Sequence, residues 1–371
     1  MMSRYGNSER SGLISAMPLE QAVRELTISE NNAFPRVLAP ESWREPDSHL
    51  RALLTESWYK AISALTHEAI HATYQFFYGK GFLATAMPLT TGSISSPMGL
   101  GSDSLPVRAV IQGLETYLAD SMQFMLELGT RIHGGRPAYY VMPTFRGEPA
   151  DERHLTQFYH AEVEIVGGLN DVMLLAEEYI LAITRNIFSA ASDIIDEVAG
   201  TTKHVEDLLT RGAFPRLRFE QAIEELRTFD NATEKLKDGT VRLTSYGERR
   251  LIENYGDFIW VTHMPWKTVP FYQACEDGTS MSKSADLLAG IGEILGSGER
   301  ATSEEDVLSN LAAQHIDPAP YDWYIQMKRE WPLRTSGFGL GLERYLLWLT
   351  RTKDIRNIPL LVRNHDRVHK P

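Results

Sequence analysis

The stretch Ser336-Gly-Phe-Gly-Leu-Gly-Leu-Glu-Arg344 decides the fold of this chain. Gly337, Gly339 and Gly341 alternate with larger residues, so in an extended strand all three lie on one face. A strand face without side chains lets a flat ligand lie against the backbone. The residues that follow switch to helical spacing, which puts Arg344 at the start of a helix, where it can reach a phosphate. The alternative is a glycine-rich turn before a core helix.

Composition limits the class of protein. The 371 residues are 43% hydrophobic, which is ample for a sizeable core, and the net charge of −12 gives no bulk attraction to nucleic acid. Cys275 is the only cysteine, so no internal disulfide can form. Residues 1–11 lack an apolar signal core, and no apolar run is long enough to span a bilayer. These features predict a cytoplasmic protein without a membrane partner.

Apolar periodicity predicts the main elements. Long helices are expected over His49–Tyr78 and Val172–Val198, and a short one over Met17–Leu26. The charged stretch Thr201–Tyr255 looks like a helical surface insertion. Strands are predicted over Phe82–Pro88, Phe258–His263 and Asp286–Ile294, and strands or helices over Tyr117–Leu128, Ala138–Arg146 and Phe158–Ile165.

Two further segments suit a nucleotide. Phe145-Arg-Gly-Glu148 stands at the end of a predicted strand, and Arg153-His-Leu-Thr-Gln-Phe158 follows a polar loop. Two arginines, a histidine and an aromatic ring around one loop fit a triphosphate and a stacked base, although a solvated charged hairpin is the alternative. Asp286–Arg300 carries carboxylates beside a glycine-rich turn, where Glu293 could hold Mg²⁺.

Together these segments resemble the class II aminoacyl-tRNA synthetases, most closely the asparaginyl/aspartyl branch. The first long helix with Phe82–Pro88 resembles motif 1, Phe145–Glu148 with Arg153–Leu155 resembles motif 2, and Ser336–Leu349 resembles motif 3. The resemblance covers residues 48–371. It implies an α+β fold, an antiparallel sheet flanked by helices, in one catalytic domain with an insertion at about residues 200–255.

The resemblance also implies an ATP site with Mg²⁺. Arg146 would hold the α-phosphate, Glu148 the adenine amino group, and Phe158 would stack on the adenine beneath Arg344. His154 and Arg344 would meet the outer phosphates, Glu293 would hold the metal, and Arg146 and Arg344 would be catalytic. The full implied ATP set is Arg146, Glu148, Arg153, His154, Phe158, Glu293, Gly339, Gly341 and Arg344.

An amino-acid site is implied beside the nucleotide. Leu126 stands where aspartate-specific relatives typically carry a lysine, so Leu126-Glu127 resembles an asparagine-type pocket. The implied substrate-binding residues are Ser121, Gln123, Glu127, Glu162, Arg300, Ser336 and Gly337.

The start of the chain departs from the family pattern. Synthetases of this branch carry an N-terminal OB-fold that reads the anticodon, but residues 1–47 are too few for a five-stranded barrel and are expected to form an arm. The chain then resembles a paralogue of the archaeal asparagine-synthetase type. Such an enzyme would activate an aspartate- or asparagine-like acid as an acyl-adenylate and pass it to ammonia or a small amine, releasing AMP and pyrophosphate.

In that interpretation tRNA is not an expected partner, because the net charge is −12 and the short motif 2 loop carries Asp151 and Glu152. A homodimer is expected, since motif 1 forms the subunit interface in the family. Two alternatives stay open. One is an asparaginyl-tRNA synthetase without its anticodon domain. The other is a zinc hydrolase built on His67-Glu-Ala-Ile-His71, whose histidines share a helical face.

Overall fold

The computed structural model describes residues 36–95 and 104–363. Its α-helices are α1 (Pro46–Thr55), α2 (Ser57–Gly79), α3 (Gln123–Ile132), α4 (Leu169–Ala199), α5 (Lys203–Arg211), α6 (Phe219–Leu226), α7 (Ser245–Tyr255), α8 (Glu304–Ala313), α9 (Asp322–Glu330) and α10 (Leu342–Thr350). Its strands are β1 (Leu83–Ala84), β2 (Thr90–Thr91), β3 (Val107–Ile111), β4 (Leu114–Leu118), β5 (Ala138–Phe145), β6 (Gln157–Val166), β7 (Arg216–Arg218), β8 (Thr233–Lys235), β9 (Val241–Leu243), β10 (Ile259–Thr262), β11 (Ser284–Ala289), β12 (Gly292–Glu299) and β13 (Thr335–Gly341).

An eight-stranded sheet, in the order β1-β5-β6-β13-β12-β11-β10-β7, organises the described residues. The edge pairs β1–β5 and β10–β7 are parallel, whereas the pairs between them are antiparallel. Smaller sheets, β2-β4-β3 and β8-β9, stand apart from it. The predicted α+β fold, an antiparallel sheet flanked by helices, is therefore confirmed.

Helices α2, α4 and α10 cover one face of this sheet. Leu65 of α2, Ile180 of α4, Leu346 of α10 and Phe338 of β13 all belong to the same buried cluster. Each such side chain contributes roughly 1.5–3 kcal/mol on burial. Because Phe338 alternates with Gly337 and Gly339 along β13, the glycines lie on the other face, which is the face left for a ligand.

The predicted glycine-rich strand and its helix are confirmed, as is the long helix over Val172–Val198. Of the segments left open between strand and helix, Ala138–Arg146 and Phe158–Ile165 are strands, whereas Tyr117–Leu128 contains the end of β4 and the start of α3. The single helix predicted over His49–Tyr78 is wrong, because Glu56 has extended backbone angles and separates α1 from α2. The strand predicted over Phe82–Pro88 is confined to the two residues of β1. The helix predicted over Met17–Leu26 lies outside the described residues.

Asp286–Ile294 does not form one strand. β11 turns at Gly290 into β12, and Gly290 and Gly292 have φ angles of 63° and 151°, which glycine adopts easily. The stretch predicted as a surface insertion also contributes to the main sheet, because β7 pairs with β10. None of the helices in the described residues is long and apolar enough to cross a membrane.

Candidate active site

A cavity of about 870 Å³ opens beside β6, β12, β13 and the start of α10. Its wall includes every residue of the predicted ATP set: Arg146, Glu148, Arg153, His154, Phe158, Glu293, Gly339, Gly341 and Arg344. Three segments far apart in sequence thus meet around one space large enough for a nucleotide. His160, Glu248 and Glu343 line the same cavity and were not predicted.

Arg146 and Glu148, which line this wall, each have a polar atom without a hydrogen-bond partner in the part of the chain that the structure describes. The Arg146 Cζ atom lies 5.4 Å from the centroid of the Phe158 ring, so the guanidinium and the ring face each other. Arg146 Nε and Glu148 Oε2 are buried and have no hydrogen-bond partner among the described residues. Buried polar atoms normally find partners, so these two fit contacts that a ligand completes.

Arg153 is held by a residue from the stretch predicted as an insertion. Its Nη2 donates to Glu248 Oε2 on α7 at 2.7 Å, and both side chains are mostly buried. Burial raises the pKa of Glu248, and Arg153 opposes this rise. His154 is more exposed, and its Nδ1 lies 3.0 Å from Asp151 Oδ1. Glu248 therefore sets the position of one of the two predicted motif 2 arginines.

Arg344 faces a group of carboxylates. It donates to the backbone carbonyl of Glu293, and burial lowers its pKa. Across β11 and β12, burial raises the pKa of Asp286 well above its ordinary range, and the charges of Glu293 and Glu248 raise it further. A carboxylate that burial and like charges disfavour is one that a cation would stabilise.

The predicted Mg²⁺ ligand is compatible with this arrangement. The described residues contain no group of three His, Cys, Asp or Glu side chains arranged to hold a metal. Mg²⁺ bound with a nucleotide needs only one or two carboxylates, because phosphates and water complete its shell. Glu293 and Asp286 both point toward Gly296, where the absence of a side chain leaves them room. Asp286 is the member of this pair that the sequence prediction missed.

The glycines of β13 accommodate side chains of β6. In the sheet register, Gly341 lies opposite His160 and Gly339 opposite Glu162, whereas Gly337 lies opposite Glu164. Gly339 and Gly341 line the cavity, but Gly337 does not. The glycine face is therefore open to a ligand only at its C-terminal end.

Glu162 is fixed at the boundary of the cavity. Its Oε2 accepts hydrogen bonds from Ser121 Oγ at 2.6 Å and from Tyr140 OH, and its Oε1 lies 2.8 Å from His160 Nδ1. Burial raises the pKa of this carboxyl, but the contacts with His160, Ser121 and Tyr140 outweigh it, so the pKa lies below the ordinary range. Glu162 is thus held as an anion.

Glu127 is buried more deeply. Its carboxylate accepts from Tyr324 OH at 2.8 Å, Gln123 Nε2 at 3.3 Å and the ammonium of Lys328, whose side chain is also fully buried. Burial lowers the pKa of Lys328, and Glu127 opposes that change. Both oxygens of the Glu127 carboxylate therefore have hydrogen-bond donors within the protein.

Arg300 forms a second buried pair. Its Nη2 donates to Glu164 Oε2 at 3.0 Å, and Ser336 Oγ donates to the backbone of Gly168. None of the seven predicted substrate-binding residues, Ser121, Gln123, Glu127, Glu162, Arg300, Ser336 and Gly337, lines the cavity itself. They surround a polar network next to it, and their contact with substrate stays a prediction. Glu164, Tyr324 and Lys328 are members of this network that the sequence did not indicate.

The histidines of the candidate zinc site do not converge on a third ligand. His67 and His71 are exposed on α2, and their rings stack in parallel with centroids 6.1 Å apart. Within the described parts of the chain no further metal-binding side chain completes the pair. Neither histidine lines the nucleotide-sized cavity.

Residues 46–365 match the family described as tRNA synthetases class II (D, K and N). The chain is also similar to a probable cytoplasmic asparagine–tRNA ligase of Encephalitozoon cuniculi, with 32% identity over 267 residues. This match covers 69% of the chain and 57% of the relative, so the chain spans less than two thirds of that protein.

Solved structures share the fold. Asparaginyl-tRNA synthetase from Pyrococcus horikoshii, complexed with asparaginyl-adenylate, matches with a TM-score of 0.79 and 24% identity over 89% of this chain and 74% of that one. The Entamoeba histolytica asparaginyl-tRNA synthetase with the same adenylate has a TM-score of 0.76 and 22% identity, covering 94% and 75%. A putative aspartyl-tRNA synthetase from Leishmania major has a TM-score of 0.70 and 22% identity, covering 84% and 66%.

These matches overturn one expectation. The prediction that tRNA is not a partner is wrong, because the matching family consists of tRNA synthetases and a similar curated protein is an asparagine–tRNA ligase. The net charge of −12 was a poor guide, since it is a sum over the whole chain and does not describe a local tRNA-binding surface. The chain belongs to the class II tRNA synthetases of the D, K and N group.

Proposed function

We propose that this protein activates asparagine with ATP and transfers the asparaginyl group to tRNA. The observation that carries the proposal is the cavity that gathers all nine predicted ATP-binding residues, in a chain similar to an asparagine–tRNA ligase. The choice of asparagine over aspartate also draws on Leu126-Glu127, where a lysine that could pair with a second carboxylate is missing. A cytoplasmic location, which the relative's name states, is proposed with it.

In the first step the asparagine carboxylate attacks the α-phosphorus of ATP, forming asparaginyl-adenylate and releasing pyrophosphate. This step requires no side-chain nucleophile, because the carboxylate is already an anion. Arg146 and Arg344 would orient the phosphates and stabilise the charge that develops on them. Mg²⁺, when held by Glu293 and Asp286, would neutralise phosphate charge. In the second step a hydroxyl of the tRNA's terminal ribose takes the asparaginyl group and AMP leaves.

The test has two stages. Asparagine-dependent exchange of labelled pyrophosphate into ATP, compared with aspartate and lysine, measures the first step. Charging of unfractionated tRNA with labelled asparagine measures the second. Exchange with asparagine followed by tRNA charging is the expected result. If ammonia or a small amine consumes the adenylate while tRNA stays uncharged, the enzyme is an amide-forming ligase instead.

A homodimer stays a prediction, and the apolar stripe that recurs at helical spacing from Leu50 to Leu65 is the candidate surface for its interface. Trp58, Ile62 and Leu65 of the apolar stripe are buried in the chain's own core. Leu50 and Leu54 are 56% and 71% exposed, so they are the part of the stripe that is free to meet a second subunit. Light scattering at micromolar concentration should give twice the chain mass, and a monomer would contradict the prediction.

A further inference from the structure

His160 occupies a position that neither the predicted ATP set nor the predicted amino-acid set includes. It lies in the middle of β6, lines the cavity and faces Gly341 across the strand pair. Its ring packs edge-on against the Phe158 ring, with centroids 4.8 Å apart and planes at 82°. Its side chain is 14% exposed. The imidazole is thus firmly placed and still accessible to a ligand in the cavity.

Glu162 determines which nitrogen of this imidazole carries the proton. His160 Nδ1 is buried and lies 2.8 Å from Glu162 Oε1, an ion-pair contact without the geometry of a hydrogen bond, and the other carboxylate oxygen is held by Ser121 and Tyr140. A fixed anion at this distance favours a proton on Nδ1, which leaves the lone pair on Nε2. No described residue hydrogen-bonds Nε2. The pair therefore has the arrangement of a histidine base oriented by a carboxylate.

The order of side chains along β6 puts this base between the two ends of the proposed adenylate. Phe158, His160 and Glu162 alternate onto one face, so neighbouring members of the set are roughly 7 Å apart along the strand. Phe158 is proposed to stack on adenine, and Glu162 with Ser121 is proposed to meet the amino acid. The acyl phosphate joins adenosine to the amino acid, so it must lie between these ends, beside His160.

Only the second chemical step needs a base. In activation the attacking carboxylate is already ionised, whereas in transfer a neutral ribose hydroxyl has to lose its proton. We propose that His160 is the proton acceptor for transfer of the asparaginyl group from the adenylate to tRNA, an inference that rests on the proposed function.

In this step the ribose oxygen forms an ester bond to the carbonyl carbon, and the bond from that carbon to the phosphate oxygen breaks. AMP leaves with the bonding electron pair. The hydroxyl proton passes to His160 Nε2 and then to solvent. The products are asparaginyl-tRNA and AMP, and no further reactant is required.

The experiment compares wild type with His160→Gln in three assays. Pyrophosphate exchange and capture of the adenylate by hydroxylamine both report activation, because hydroxylamine is a strong nucleophile that needs no base. Single-turnover transfer from preformed adenylate to tRNA reports the second step. We expect His160→Gln to keep exchange and hydroxamate formation within a few-fold of wild type and to slow transfer about 100-fold or more.

A second variant tests the role of the imidazole itself. His160→Ala removes the ring beside Gly341, and added imidazole should restore part of its transfer rate without changing hydroxamate formation. Wild-type transfer rates in His160→Gln would overturn the inference, and so would an equal loss of exchange and transfer, which indicates a role in activation or folding. If the wild-type protein itself forms the hydroxamate but charges no tRNA, the proposed function is what fails, and the inference fails with it.

Discussion

Gly337 lies directly opposite Glu164 on the neighbouring strand, and a Cβ atom at Gly337 would overlap both Glu164 Oε2 and the backbone oxygen of Val163 and lie 2.6 Å from Arg300 Nη2. The absence of a side chain at this position is therefore what allows the buried Glu164–Arg300 pair to form. This requirement is structural, and it is separate from the need for an open strand face beside a ligand at Gly339 and Gly341.

We expect Gly337→Ala to lower the free energy of unfolding by about 3 kcal/mol, because the added Cβ forces a buried ion pair apart and displaces the backbone carbonyl of Val163. Urea denaturation followed by circular dichroism measures the change. Gly341→Ala is the matched control in the same strand, since its Cβ would meet nothing closer than Arg344 Cβ at 3.8 Å. Equal stabilities for the two variants would contradict the steric argument.

Arg146→Ala and Arg344→Ala should each reduce pyrophosphate exchange on the order of 100-fold or more while leaving the fold intact. Both guanidinium groups line the cavity, and their contacts with phosphate should tighten as charge develops in the transition state. Arg227→Ala is a suitable control, because Arg227 is exposed and its ion pair among the described residues is with Glu224 on the surface. Near-normal exchange in either active-site variant would refute the assignment of these residues.

The cavity could be predicted because its signals are local. The alternating glycines of β13 and the helical spacing after Leu342 are both contained within fewer than twenty residues, and the structure reproduces them. Glu248 was missed because it lies in a charged stretch that looks solvent-exposed, while its partner Arg153 stands 95 positions earlier. A pattern of charges along one helix carries no information about a contact over that distance.

The buried polar network around Glu127 also depends on contacts between residues that are far apart in sequence. Lys328 in α9 follows Tyr324 by one helical turn, which is ordinary spacing for a solvated surface helix. Its burial depends on Glu127, about 200 residues earlier. Similarly, no glycine or proline at Glu56 predicts the break that divides the first long helix into α1 and α2. These features depend on tertiary packing, which overrides local propensity.

Glu248→Ala should weaken ATP binding, because Arg153 loses the carboxylate that fixes its guanidinium in the cavity wall. We expect the KM for ATP in the exchange assay to rise about tenfold, with a smaller change in kcat. Glu253→Ala on the same helix is the control, since its side chain is 57% exposed and its partner Arg250 lies one turn away. An unchanged KM for ATP would show that Arg153 does not need this partner.

Lys328→Met should destabilise the protein by roughly 3 kcal/mol, because the buried carboxylate of Glu127 loses the ammonium and keeps only the more distant Arg131 Nη1, at 3.6 Å, as a cation among the described residues. Chemical denaturation measures this loss. Arg329→Met, one position later, removes an exposed cation paired with Glu304 and should cost less than about 1 kcal/mol. If the two substitutions cost the same, the Glu127–Lys328 pair does not have the stabilising role that its burial suggests.

Glu343 makes stability depend on pH. Its carboxylate accepts the backbone N–H of Tyr159 at 2.9 and 3.1 Å, and burial raises its pKa from an ordinary 4.5 to about 7, with the backbone hydrogen bonds opposing the rise. Between these two values the folded protein binds the proton more tightly than the unfolded chain does. The resulting contribution to stability is complete below about pH 4.5 and is lost as the pH rises through 7.

Glu343→Gln tests this sign, because the amide stays neutral throughout and its oxygen can still accept from Tyr159. We expect the free energy of unfolding of wild type, relative to Glu343→Gln, to fall by up to roughly 3 kcal/mol between pH 5 and pH 8. Denaturation of both proteins at several pH values measures the difference, and titrating groups elsewhere cancel in the comparison. Parallel stability curves, or a relative gain in wild-type stability toward pH 8, would contradict a raised pKa at this carboxyl.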